Sequence, residues 1–193
     1  MKQRFHTLRF ALPRALARLR RDERGLAATE FAMIVPLMMV MFFGTVEFSS
    51  GIAVDRKVTL VARTLSDLTS QSLSVTDADL TNFFAASNLI IWPYSTTPIS
   101  ATVTQLYINP TTLKASVQWS KGSAPRGNGT FVTIPASLAV ANTYLIYSEV
   151  SYGYVPTVGY VMGTAGVTLS DVNYTRPRQS TCVLYGTTTC TTA

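Results

Sequence analysis

The run from Leu26 to Val46 decides most of what this chain can become. It holds 21 residues and a single charge, Glu30. As a helix rising about 1.5 Å per residue it is about 32 Å long, enough to cross about 30 Å of hydrocarbon. No other stretch of the sequence comes close. The flanks set its orientation. Residues 1–24 carry eight basic side chains (Lys2, Arg4, Arg9, Arg14, Arg18, Arg20, Arg21, Arg24) against Asp22 and Glu23. That accounts for the whole net charge of +6, because residues 25–193 hold eight basic and eight acidic groups. The Arg-rich side is expected to stay in the cytoplasm and the C-terminal body to lie outside it. A pI near 9.5 would ordinarily suggest a nucleic-acid partner, but a body without net charge argues against one. Charged residues make up only 13% and apolar ones 47%. That balance fits a membrane or assembled protein better than a free cytosolic enzyme.

Two plainer readings compete for the span. A cleavable signal peptide would use Phe31–Phe43 as its apolar region and Gly51-Ile52-Ala53 as its cleavage site, leaving a secreted domain that starts near Val54. Its basic region would be unusually long, and a carboxylate would sit at the leading edge of its core. A plain signal anchor would keep its basic tail. The third reading starts from Glu30. An ionisable group in a membrane segment is costly and therefore a functional candidate, although its place near the end of the span lowers the cost. Gly25 ends the basic tail and Leu26 begins the apolar run. A small residue between a charged leader and an apolar helix, with a carboxylate four residues beyond Leu26, is what prepilin peptidases process. Gly25 lets an extended backbone enter an active site at the membrane surface. Cleavage after Gly25 removes the leader and leaves a new α-amino group on Leu26. Glu30 of one subunit could then pair with that amino group on a neighbour, offsetting the burial of a carboxylate.

The wider pattern resembles a known family. It consists of Arg21-Asp22-Glu23-Arg24-Gly25, then Glu30-Phe31-Ala32, Pro36, Gly44-Thr45-Val46-Glu47-Phe48 and Ala62-Arg63. Residues 21–66 resemble the N-terminal segment of TadE/TadG-like proteins of the tight-adherence (Tad, Flp-type) pilus system. Arg176-Pro177-Arg178 is similar to an ending common near the C-terminus of such proteins, although a two-cysteine tail follows it here. The resemblance implies a pseudopilin or minor pilin with a type IV pilin-like architecture. It also implies the partners: a prepilin peptidase, the major pilin, sister minor pilins, an inner-membrane assembly platform and membrane lipid.

Pro36 should remove one hydrogen bond and kink the span, as membrane helices tolerate. Beyond Glu47, Val54, Val58, Val61, Leu65 and Leu68 recur at helical spacing, while Asp55, Arg56, Lys57, Arg63, Ser66 and Asp67 fall largely off that stripe. The helix is expected to run to about Gln71, with Ser49-Ser50-Gly51 loosening it at the membrane exit. The stripe would pack on the protein's own sheet or on partner helices. Thr76-Asp77-Ala78-Asp79 signals a second helix start, read as a cap and not a metal site. Strands follow at Ala101–Ile108, at Leu113 to Ser120, at Phe131–Ile134 and at Thr143–Tyr154. In the second of these, Leu113, Ala115, Val117 and Trp119 share one face. One more strand is expected around Val158–Val161 or Gly166–Val172. Short turns suggest an antiparallel meander, so the fold class is α+β. The segments are then a leader (1–25), a membrane helix and stalk (26–72), an extracytoplasmic domain (73–180) and a Ser/Thr-rich tail (181–193).

Nine Tyr between residues 94 and 185 suit either a half-buried sheet or subunit contacts. Cys182 and Cys190, both exported, are expected to pair. His6 is the sole histidine and lies in the leader, so the body lacks a histidine for nucleophilic or metal chemistry. No phosphate-binding Gly-rich motif occurs. The sequence therefore points to a non-catalytic assembly protein of a bacterial inner membrane, without cofactor or metal. A permanently anchored binding or adhesin module is the alternative.

Overall fold

The computed structural model describes residues 24–156, 166–186 and 189–190. The leader up to residue 23 and the strand expected around Val158–Val161 lie outside the described residues. The chain forms two units, Met1–Val46 and Glu47–Ala193, and one 47-residue helix, α1 (Arg24–Ser70), contributes to both. Pro36 lies inside α1 without ending it. Ser49-Ser50-Gly51 is helical throughout, so the expected loosening does not interrupt the helix.

Serine and threonine accumulate where α1 stops. The hydroxyls of Ser66, Thr69, Ser70 and Ser72 donate to the carbonyls of Arg63, Leu65, Asp67 and Leu68. Such back-bonding competes with the helical ladder. The backbone N–H of Arg178 then takes the Ser70 carbonyl at 2.9 Å, satisfying one of the acceptors that a helix end leaves open. The Arg178 guanidinium also pairs with Asp67.

After α1 come β1 (Ser74–Val75), α2 (Asp77–Asn88), β2 (Ile99–Ile108), β3 (Ala115–Gly122), β4 (Phe131–Val132), β5 (Tyr144–Tyr154), β6 (Val167–Thr175) and β7 (Leu184–Tyr185). The start of α2 is a capping box. Asp79 N–H donates to the Thr76 hydroxyl, and Thr76 N–H donates to the Asp79 carboxylate at 2.9 Å. Five strands form an antiparallel sheet in the order β4-β3-β2-β5-β6. This corrects the expected meander. The chain leaves β4 at one edge and returns past β3 to pair β5 with the far side of β2. A two-stranded parallel pair, β1 with β7, is a second element that strand-by-strand reading did not contain.

A bulge in β3 sorts the side chains. Gln105 pairs with Trp119 but Leu106 pairs with Val117, so Gln118 is an extra residue. An inserted residue reverses the face of everything beyond it. Ala115 and Val117 therefore pack with Leu106, Ile108, Leu145 and Tyr147 on one side. Trp119 instead joins Val103, Ile146, Val150 and the helix residues on the other. The expected single face for Leu113, Ala115, Val117 and Trp119 is thus corrected. Leu113 is also outside β3, exposed and at φ 53°. There the Asn109 side chain, accepting from Thr111 and Thr112, tightens the turn. Gly122 closes β3 at φ 138°, where a Cβ would run into the Ala101 carbonyl oxygen.

Within the Glu47–Ala193 unit, α1 packs across the sheet through Val54, Val58, Val61, Ala62 and Leu65, all fully buried. Leu68 is only half-buried. Ser66, expected off the stripe, is buried. Its hydroxyl accepts from Asn173 Nδ2 at 2.5 Å and lies 3.1 Å from the Thr175 hydroxyl on β6. The Ser148 hydroxyl on β5 donates to the Ala62 carbonyl at 2.6 Å. Tyr107, Tyr144, Tyr147 and Tyr152 are buried, as suits a packed sheet.

The segment after Arg176 is built into the same core. Val183 donates its N–H to Gln105 Oε1 at 2.7 Å and accepts from Trp119 Nε1 at 3.0 Å. Cys182 and Val183 are buried, and Cys182 is bonded to Cys190. The Tyr185 hydroxyl donates to Asp77 at 2.7 Å, and Lys121 pairs with the same carboxylate at 3.2 Å. These partners hold the Asp77 carboxyl below the usual range, the Tyr185 hydrogen bond first and Lys121 next. The Thr76 hydroxyl and N–H do the same for Asp79.

Two outcomes are expected. Leu65→Ala should cost about 2–5 kcal/mol of unfolding free energy and Leu68→Ala clearly less, in urea titrations of the detergent-solubilised chain followed by Trp fluorescence. Equal costs would contradict the packing described. Because Asp77 and Asp79 ionise more readily folded than unfolded, their stabilisation is fully present above the ordinary aspartate value near 4 and is lost as pH falls from there through the lower values of the folded state. Asp79→Asn should therefore flatten the loss of stability as pH falls below about 4. An unchanged slope would assign that loss to other carboxylates.

Candidate membrane and assembly segment

The residues singled out for processing and assembly lie on the first turns of α1. Gly25 is its second residue, and nothing approaches within 4 Å of the place a Cβ would occupy. Leu26, Glu30 and Phe31 are all exposed. Four residues separate Leu26 from Glu30, so both lie on one face about 6 Å apart along the axis. The first amides of a helix have no intrahelical acceptor, so the backbone around Gly25 opens at little cost.

The apolar side chains from Leu26 to Phe43 point in every direction, and among the described residues all but half-buried Val35 are exposed. Met33 is 82% exposed, and Ile34, Leu37, Met38, Met39, Val40, Met41 and Phe42 are exposed as well. The most apolar 18-residue window has a mean hydropathy of 2.0 and is 0% buried. A helix that is apolar all round belongs in a bilayer or a bundle. Polar side chains within the span satisfy themselves locally. The Thr29 hydroxyl donates to the Leu26 carbonyl and the Thr45 hydroxyl to the Met41 carbonyl, each at 2.8 Å. Groups bonded in this way need no water. Pro36 has no N–H to offer Ala32, so one carbonyl of the span lacks its helical donor. The single apolar helix suggests membrane anchoring.

The character of α1 changes at Glu47. From there one side is buried against the sheet, while Asp55, Arg56, Leu60 and Arg63 are exposed. Val54, Val58, Val61 and Leu65 are consumed by the protein's own core, which leaves the opposite side of the stalk for any partner helix. Glu47 itself had no role assigned to it from sequence. Its carboxylate accepts from the Tyr154 hydroxyl at 3.3 Å. Burial, and then the Glu47 charge, raise the Tyr154 pKa, so this hydroxyl stays protonated and donating. Gly51 faces the same ring, with Tyr154 Cε1 3.7 Å from the place its Cβ would take. Recurrent Gly and Glu in one helix were visible signals; the tyrosine that answers them, more than a hundred residues away, was not.

The other polar clusters are structural. Asp77 and Asp79 are spent on Tyr185, Lys121 and the α2 cap. Among the described residues no group of three His, Cys, Asp or Glu is placed to hold a metal ion. Arg126 makes a two-point contact with Glu149 on the exposed side of the sheet.

Residues 25–66 match the family model of TadE-like proteins. The match begins at the glycine that ends the leader and closes within the buried stripe. No curated protein and no solved structure matches the chain.

A charge at the middle of the span tests the anchoring reading. Leu37→Arg should cost about 2.5–3.5 kcal/mol of insertion free energy and move protein from the alkali-resistant membrane fraction to the soluble fraction. Full retention in the membrane would count against residues 26–46 as the sole anchor.

Proposed function

We propose that the protein is a pseudopilin-like or minor-pilin subunit of a Tad-type pilus, made as a precursor and cleaved between Gly25 and Leu26. The observation that carries this reading is the TadE-like segment, which starts at Gly25 and includes Glu30, the apolar span and the first half of the stalk. In this reading the Arg-rich leader stays in the cytoplasm of a bacterium, the span crosses the inner membrane and the α+β unit lies outside. The role is structural and not catalytic.

The chain's own residues supply each step. Gly25 offers a backbone without a side chain to a prepilin peptidase at the membrane surface. Hydrolysis adds water across the Gly25–Leu26 amide, releasing the leader with a Gly25 carboxylate and leaving an ammonium on Leu26. Removal of residues 1–25 takes away eight basic and two acidic side chains. The body that remains has no net side-chain charge and can enter a crowded assembly. Glu30 is then the one carboxylate in an apolar surface. Pairing with the Leu26 ammonium of a neighbouring subunit stabilises the contact and disfavours subunits in the wrong axial register. Phe31 beside it supplies apolar area, and Pro36 supplies a bend. The partners follow: the peptidase, the major pilin, sister minor pilins, and the assembly platform in the lipid bilayer.

N-terminal sequencing of the mature protein tests the proposal. A terminus at Leu26 supports it, an intact chain favours a permanent anchor, and a terminus near Val54 favours a secreted domain. Gly25→Arg is expected to leave only precursor and to abolish the contribution to piliation. Glu30→Ala should insert and be cleaved normally, yet reduce pili counted by electron microscopy. Wild-type pilus numbers in that strain would rule out the pairing model.

A further inference from the structure

Six asparagines occur in the sequence, and only one of them, Asn128, is followed by glycine. That pair carries a latent reaction. A backbone amide nitrogen can attack the side-chain carbonyl carbon of the asparagine before it, and glycine presents that nitrogen with no side chain in the way. The structure sorts the six sites. Asn82 and Asn88 are held in helical backbone by α2. Asn109 precedes Pro110, which has no N–H. The Asn142 side chain accepts from the Tyr107 hydroxyl at 2.7 Å, and the Asn173 amide donates to the Ser66 and Thr175 hydroxyls. Asn128 is exposed, and among the described residues its side chain makes no hydrogen bond.

Asn128 and Gly129 form the middle of a four-residue turn, closed where the Thr130 N–H meets the Gly127 carbonyl at 3.2 Å. Gly129 sits at φ 79°, a left-handed value that the third position of such a turn requires of glycine. Its N–H, which would supply the attacking nitrogen, is already engaged. It donates to the Val117 carbonyl at 2.7 Å, and the Val117 N–H donates to the Thr130 carbonyl at 2.9 Å. These two bonds extend the short pairing of β3 with β4, which otherwise joins Ala115 to Val132 and Ser116 to Phe131. To reach the Asn128 side chain, the Gly129 nitrogen must first leave Val117.

We infer that Asn128 is a site of spontaneous deamidation, and that the Gly129–Val117 hydrogen bond restrains the reaction until the turn lifts from β3. Solvent base removes the Gly129 amide proton, and the nitrogen bonds to the Asn128 side-chain carbonyl carbon. The bond from that carbon to Nδ2 breaks, and ammonia leaves after taking a proton from water. Water then opens the cyclic imide. Attack at the side-chain carbonyl gives aspartate. Attack at the main-chain carbonyl gives isoaspartate, whose backbone runs through the former side chain and is longer by a methylene. Overall, the side-chain amide and water become a carboxylate and ammonium, with no oxidation. Both products place a negative charge on the turn. Only isoaspartate lengthens the backbone before Gly129, so only it shifts that N–H off Val117 and loosens β4. No enzyme takes part, so the change accumulates with the age of the chain.

The experiment incubates the full detergent-solubilised chain, with its Cys182–Cys190 bond intact, in mildly alkaline buffer. Each asparagine is followed by peptide mapping and mass spectrometry. Conversion at residue 128 is expected to outrun that at every other asparagine, and to quicken several-fold when urea unfolds the chain. The isolated isoaspartyl form should lose hydrogen-exchange protection at the Val117 amide. Asn128→Asp, with the charge but the normal backbone, should keep it. Faster conversion at any other asparagine of the folded chain, or none at residue 128, overturns the site. A rate at residue 128 that unfolding leaves unchanged overturns the restraint by Val117. Loss of Val117 protection in Asn128→Asp overturns the role of the lengthened backbone.

Discussion

The packing of one side of α1 on the sheet is the constraint from which the rest of the ordered body follows. Val54, Val58, Val61, Ala62 and Leu65 leave water completely, and each large apolar side chain so buried contributes about 1.5–3 kcal/mol. The sheet alone would be a two-faced apolar layer, since β2 is buried on both faces from Ala101 to Ile108. The helix covers one face. Val132 from β4, with Ile134 and Leu138 from the connection between β4 and β5, covers part of the other. Polar groups inside the helix–sheet seam are matched pairwise, Ser66 with Asn173 and Thr175 and Ser148 with the Ala62 carbonyl. Such bonds add modestly to stability, but they specify one register of helix on sheet, because sliding α1 by a turn would break the bonds that cross the seam.

The bulge at Gln118 extends that logic to the C-terminal segment. By turning Trp119 to the helix side, it places the indole N–H directly across from the Gln105 amide. Together they hold both the N–H and the carbonyl of Val183. The Cys182–Cys190 bond, the Tyr185–Asp77 hydrogen bond and the Arg178–Ser70 contact secure the flanks of this clasp. The clasp also ties the segment from Arg178 to Tyr185 to the end of α1, to the sheet and to the start of α2.

How much of this was legible depends on how local each signal is. The span and the stripe repeat along a single helix, so period and hydropathy reveal them. The α2 cap announces itself as Thr76-x-x-Asp79, because both partners of the box lie within one turn. The N-terminal segment that defines the candidate site was legible for the same reason: Gly25, Glu30 and the span are neighbours in sequence. The bulge was not legible, because Ala115, Val117 and Trp119 keep a period of two across it; only the partner strand reveals the extra residue. Nor was the return from β4 to β5, since nothing local states which edge of β2 the next strand joins. The clasp was hidden by its composition. A Ser/Thr/Gly-rich tail looks loose until Gln105 and Trp119, contributed from elsewhere, bond its backbone. Ser66 was misplaced off the buried stripe because a hydroxyl enters a core only where a partner awaits it, and that partner lies 107 residues away on β6.

Glu47 marks where a single helix changes its surroundings. Before it the side chains are apolar all round, with Glu30 as the lone charge; after it they are apolar on one side only. The cost of the arrangement is a boundary at which neither environment is complete. Glu47 and Tyr154 meet that boundary with a hydrogen bond in which a buried hydroxyl, kept protonated by its surroundings, faces a carboxylate. Phe48, the next residue, and Ile52, about a turn further on, are exposed among the described residues. A carboxylate satisfied by its own chain thus stands next to exposed apolar side chains. The charge pattern of the sequence changes at the same place: basic groups gathered before the span, no charge from Phe31 to Val46, and eight basic against seven acidic groups beyond.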